Sequence, residues 1–85
     1  MNSNIIFRQL LDEKTWTYSY IIGDLSSKQA VIIDPVSDKV DRDMKLLQEL
    51  NLSLTYILDT HIHADHVTGS GTLRAKTGAK IAMGI

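Results

Sequence analysis

Apolar and polar positions along this chain fall into short patches whose period changes several times between residues 5 and 83. Ile5-Ile6-Phe7 and Leu10-Leu11, on either side of Arg8-Gln9, read as a short strand, and Asp12-Glu13-Lys14 as a polar turn. From Trp16 to Ile22 aromatic and hydroxyl side chains alternate. A period of two rich in β-formers predicts a half-buried strand. Gly23-Asp24 opens a turn that continues through Ser26, Ser27 and Lys28, so the two strands suggest a meander. Ala30-Val31-Ile32-Ile33 is an unbroken apolar run ended by Asp34-Pro35. Such a run fits a strand buried on both faces, and Pro35, lacking an N–H, stops the ladder.

The period then lengthens. Val40, Met44, Leu47 and Leu50, with Leu46 beside them, lie on one face of a helix over residues 40–50. Asp38 is placed to cap its N-terminus, Asp41 and Asp43 lie near the positive end of its dipole, and Asn51 can end it in a left-handed conformation. Arg42 and Lys45 read as a solvated helix face. Leu54-Thr55-Tyr56-Ile57-Leu58 predicts another strand ending at Asp59, followed by a polar segment from Thr60 to His66. Residues 68–77 predict a short helix stopped by Gly78, and Lys80 to Met83 the start of one more strand. Strands mixed with helices in this order imply a layered α/β structure. Trp16, Tyr18 and Tyr20 are expected in the core or on the sheet surface rather than against a substrate.

Composition narrows the picture. With 85 residues and no cysteine, the core is small and no disulfide can secure it. Small chains need a metal, a partner or further sequence instead. The last apolar strand has nothing downstream to pack on, so residues 1–85 are expected to be the N-terminal portion of one incomplete domain. A homo-oligomer or a second polypeptide completing the domain is the other way to cover it. Net charge is −1, with acids and bases interspersed, so no basic stripe points to nucleic acid. Met1-Asn2-Ser3-Asn4 lacks the features of a signal or transit peptide. No apolar run approaches the roughly 20 residues that span a bilayer. The expectation is a cytoplasmic protein that binds neither nucleic acid nor membrane.

All three histidines fall within Thr60-His61-Ile62-His63-Ala64-Asp65-His66. Imidazole is the commonest metal ligand among side chains, and Asp65 adds a fourth donor. In an extended segment His61, His63 and Asp65 share one side, because alternate residues share a face. His66 joins them if the chain turns into the following helix. A regular helix would spread His61 and His63 apart, so the cluster requires a loop after a strand, where the pattern puts it. Exposed loop histidines are the bland alternative, and a purely structural metal a second. Clustering argues against the first, and structural zinc sites are usually rich in cysteine, which is absent here.

His-x-His-x-Asp-His after a strand resembles the signature of the metallo-β-lactamase superfamily. The resemblance implies an α/β fold, the N-terminal part of a four-layer αββα sandwich with its site at one sheet edge. Asp34 matches that superfamily's structural aspartate near the site. Within the superfamily, His61-Ile62-His63-Ala64-Asp65-His66-Val67-Thr68-Gly69-Ser70-Gly71 is similar to persulfide dioxygenases. So are Phe7-Arg8-Gln9-Leu10, Thr17-Tyr18-Ser19-Tyr20, Ile33-Asp34-Pro35-Val36 and Val40-Asp41-Arg42-Asp43. Glyoxalase II-type thioesterases share the His/Asp motif but follow its last histidine with one residue and two adjacent glycines. Val67-Thr68-Gly69-Ser70 departs from that pattern.

The dioxygenase resemblance implies one Fe(II) held by two histidines and an aspartate, acting on glutathione persulfide and O₂. Of those ligands His61 is present, and the other two come from later sequence. His63, Asp65 and His66 would line the site and orient ligands. The thioesterase resemblance implies zinc, with His61 and His63 on one ion and Asp65 and His66 on a second, activating water toward a thioester. His61 is a ligand in both. Gly69 and Gly71 fit either a close backbone approach to the site or a simple turn into the helix. A third possibility is a non-catalytic fragment that binds metal weakly or docks on a partner. With ligands missing, the 85-residue chain alone is expected to be inactive.

Overall fold

The structure is a computed structural model that describes residues 4–60 and 69–83. Its elements are β1 (Ile5–Asp12), β2 (Thr17–Asp24), β3 (Gln29–Ile33), α1 (Val40–Glu49), β4 (Ser53–Asp59), α2 (Ser70–Thr77) and β5 (Lys80–Met83), with one 3₁₀ turn at Ser37–Lys39 before α1. The five strands form one sheet in sequence order. β1 and β2 pair antiparallel as expected, and β3 extends the meander, with alternating burial along it rather than burial on both faces. β3–β4 and β4–β5 pair in parallel, with α1 and α2 as the intervening crossovers.

One face of the sheet carries the core. Ile21, Ile32 and Ile57 stand side by side across β2, β3 and β4 by register, and all three are fully buried. Val40 and Leu47 of α1 and Leu73 of α2 join the same cluster, with Met44, Leu46 and Leu50 packed against it. The apolar stripe read from the spacing of α1 is therefore its buried side. Strand alternation places Phe7, Tyr18 and Tyr56 on the opposite face, where each is exposed. Phe7 and Tyr20 meet there with ring centroids 5.7 Å apart.

Several boundaries differ from the sequence pattern for local reasons. Trp16 lies outside β2, because its φ of 54° is left-handed and turns the chain between β1 and β2. It is exposed, so it belongs neither to the core nor to the sheet. Gly23 and Asp24 extend β2 instead of opening the turn, since each pairs with both β1 and β3. A Cβ at Gly23 would sit 2.5 Å from Leu52 Cδ1, so a side chain there would have to displace Leu52. Asp38 falls inside the 3₁₀ turn and does not cap α1, whose N-cap position is held by Lys39 without a side-chain bond. The helix ends agree better. Asn51 takes a φ of 56°, and Gly78 a φ of 75° with its N–H donating to Arg74 O at 2.8 Å.

Candidate metal-binding site

β3 and β4 run parallel, so their C-terminal ends emerge side by side. The chain leaving β3 folds toward β4 at once: Asp34 N–H donates to Leu58 O at 2.8 Å. Asp34 sits at a φ of 55°, a left-handed conformation that aspartate tolerates better than most residues. That turn aims its carboxylate at the end of β4. Oδ1 accepts the Thr60 N–H at 2.7 Å and Oδ2 accepts the Thr60 hydroxyl at 2.6 Å. Its backbone carbonyl accepts the hydroxyl of Ser19 at 2.7 Å, and Ser19 is completely buried. Asp34 thus joins β2, β3 and the first residue after β4 through four separate groups.

The neighbouring residue reaches the residue just before α2. Pro35 O accepts the Gly69 N–H at 2.9 Å. Thr60 and Gly69 flank residues 61–68, so the Asp34-Pro35 dipeptide holds both ends of that segment. Gly69 is required here by packing. A Cβ would lie 2.8 Å from Val40 Cγ2 and 3.1 Å from Val36 O. The described neighbours of Gly69 belong to the turn into α1. Gly71 differs, being exposed with open space around it.

A further pair joins the end of β4 directly to the start of α2. Asp59, the last residue of β4, and Ser70, the first of α2, are both buried. The Ser70 hydroxyl lies 2.8 Å from Asp59 Oδ1 and 2.7 Å from Oδ2. In the sequence Asp59 reads only as a strand end. Its parity with Ile57 placed it on the covered face, which was the signal available.

Away from this neck, α1 carries a second buried carboxylate. Asp43 is completely buried; Arg42 Nε and Nη2 donate to its Oδ1 at 3.2 and 3.1 Å, while Oδ2 is buried with no hydrogen-bond partner. Arg42 Nη1 also donates to Leu11 O at 2.9 Å. Arg42 therefore ties α1 to the end of β1 and is not part of a solvated face. Burial pushes the Asp43 carboxyl up to about 6, although Arg42 pulls it the other way.

His61, His63, Asp65 and His66 lie outside the described residues. Among the described residues, no group of three or more His, Cys, Asp or Glu side chains could hold a metal ion. The structure brings Asp34 and Gly69 together at the ends of the histidine segment, with Asp59 and Ser70 beside them. Among the described residues no helix is long and apolar enough to cross a membrane.

The sequence profile of the metallo-beta-lactamase superfamily matches residues 17–85. The mitochondrial persulfide dioxygenase ETHE1 of Bos taurus is 49% identical over 71 residues, which are 84% of this chain and 28% of that protein. Hydroxyacylglutathione hydrolase of Pelagibacter ubique is 44% identical over 64 residues, 75% of this chain and 26% of that protein. Among solved structures, ETHE1 from Myxococcus xanthus superposes with a TM-score of 0.86 at 55% identity, covering 89% of this chain and 34% of that one. The chain thus spans about a third or less of the relatives it matches. With the profile matched over most of its length, the chain belongs to the metallo-beta-lactamase superfamily.

Proposed function

We propose that the chain is the N-terminal part of an iron-dependent persulfide dioxygenase, with residues 1–85 forming an incomplete portion of one domain. The observation that carries this reading is the 49% identity to a persulfide dioxygenase across 84% of the chain, in a sequence that keeps three histidines and an aspartate together. The donor set fits the metal: imidazole and carboxylate, without thiolate, suit a non-haem Fe(II) site. His61 would be an iron ligand, joined by a histidine and an aspartate from sequence beyond these residues. His63, Asp65 and His66 would line the site and orient what binds there. Asp34 and Gly69 would keep the ends of that segment in place. Bound iron would supply the redox chemistry between a persulfide and O₂.

The reaction would convert glutathione persulfide, O₂ and water to glutathione, sulfite and protons. The terminal persulfide sulfur is oxidised to sulfite and O₂ is the oxidant. The setting proposed is cytoplasmic, with a small-molecule substrate. The 44% identity to a hydroxyacylglutathione hydrolase favours a second reading, a zinc thioester hydrolase. There His61 and His63 would hold one zinc and Asp65 and His66 another. On either reading the isolated 85-residue chain is inactive, because further ligands lie outside it.

Metal content and O₂ uptake, measured on the full natural protein, separate these readings. Near-stoichiometric iron with O₂ uptake dependent on glutathione persulfide, lost in His61→Ala, is expected. Zinc with thioester hydrolysis and no O₂ uptake would overturn the dioxygenase in favour of the hydrolase.

A further inference from the structure

Burying an ionisable group is costly unless it is paired, and Asp59 is buried at a strand end where an apolar residue would fit the alternation. Among the described residues its partner is the hydroxyl of Ser70, which sits astride the carboxylate at 2.7 and 2.8 Å and can donate to one oxygen at a time. Ten residues of chain lie between the two partners, among them all three histidines. The ties through Asp34 and Pro35 hold both ends of the segment to the turn that follows β3. Asp59 and Ser70 join the two ends to each other.

We propose that Asp59 and Ser70 are a positioning pair for metal binding: their contact fixes the separation between the end of β4 and the start of α2, and so sets how tightly the intervening histidines and aspartate hold a metal ion. This rests on the proposed metal site. A segment with fixed ends has fewer conformations to lose when its side chains converge on an ion. Ligands held in advance bind more tightly than ligands that must be gathered. Both partners sit on regular elements, Asp59 on β4 and Ser70 on α2, so the contact transmits the rigidity of the core to the ends of the segment. Neither residue is a ligand in this account.

The test uses the full natural protein, stripped of metal, with Zn(II) as the probe. Its dissociation constant is measured by competition with a chromogenic chelator, and the visible spectrum of bound Co(II) reports ligand geometry. Asp59→Ala and Ser70→Ala are each expected to weaken Zn(II) binding by about 10–100-fold, the range seen when groups that orient metal ligands are lost. Asp59→Asn keeps an amide oxygen for the Ser70 hydroxyl and is expected to stay within about threefold of the parent. The double variant should be no weaker than the worse single one, because both changes remove the same contact. Circular dichroism of the metal-free forms checks folding; if Asp59→Ala does not fold, the comparison of Asp59→Asn with Ser70→Ala decides. Parent-like affinity in folded Ser70→Ala, or an equal loss in Asp59→Asn, overturns the proposal while leaving the metal site intact. A parent that binds no Zn(II), or a His61→Ala variant that binds it equally well, removes the metal site itself and the pairing with it.

Discussion

Asp59 and Asp43 are both buried carboxylates, yet they occupy opposite situations. Asp59 at the end of β4 has a hydroxyl within reach of both oxygens. Asp43 in the first turn of α1 has a guanidinium on one oxygen and, among the described residues, no hydrogen-bond partner on the other. The first contact joins residues eleven apart in sequence and brings a strand end to a helix start. The second joins sequence neighbours, and only the reach of Arg42 to Leu11 O makes it useful to the tertiary fold. A buried acid is therefore informative through what its partner connects. At the neck of the histidine segment the polar contacts are long-range and satisfied. On α1 the same residue type leaves an oxygen stranded, which costs free energy without any evident return in connectivity.

The strongest break of this contrast is at the neck, in Asp34→Ala. The change removes two hydrogen bonds from a carboxylate to Thr60 and puts alanine at a φ of 55°. Bonds to charged groups and left-handed backbone each contribute, so a loss of about 3–4 kcal/mol is expected in urea denaturation. Asp34→Asn keeps an acceptor and tolerates the backbone, and should lose less than half as much. Equal losses in the two variants would show that a neutral acceptor and a tolerant backbone count for little there, and that the paired carboxylate bonds carry the effect. A smaller effect is expected from Gly69→Ala. Its Cβ would press on Val40 and on the Val36 carbonyl, and backbone yields less readily than a side chain. Overpacking of this kind costs about 1–3 kcal/mol. Val40→Ala in the Gly69→Ala background should return part of that loss, and no recovery would place the strain on the Val36 carbonyl.

Legibility in the sequence followed the range of each interaction. The meander, both helices and β4 could be read because periods of two and 3.6 are local properties of the chain. Asn51 and Gly78 could be read as helix ends for the same reason, since a left-handed residue is a local demand. Trp16 misled because its aromatic character fits a strand, while its φ is set by the turn. Arg42 misled because its polarity suits a solvated face, and only the tertiary fold brings Leu11 O within its reach. The importance of Asp34 came from the family motif; its four contacts could not be counted before β2, β3 and β4 were assembled. Asp59 and Ser70 are separated by the histidine segment, so nothing local announced that they meet. Family membership was legible from the His-x-His-x-Asp-His pattern and is matched by the superfamily profile.

The smallest effect expected is also the one that sharpens the contrast most, because it has the opposite sign. Burial raises the Asp43 carboxyl from 3.8 to about 6. Between those two values the folded protein holds a proton there that the unfolded chain has released. Stability therefore rises as pH falls from above 6 toward 3.8, and the cost of the buried charge is present in full above pH 6. The difference between 3.8 and about 6 bounds that cost at about 3 kcal/mol. Asp43→Asn keeps an acceptor for Arg42 without the charge, and loses part of the ion pair in exchange. It should stabilise the protein by about 1–2 kcal/mol at pH 8, with the gain shrinking through pH 6 and absent below pH 4. Urea denaturation of parent and variant across pH 4 to 8 checks this. A gain independent of pH would mean that packing, and not the stranded charge, distinguishes Asp43 from Asp59. A loss at pH 8 would mean that the Arg42 contact outweighs desolvation, and that both buried acids stabilise the fold.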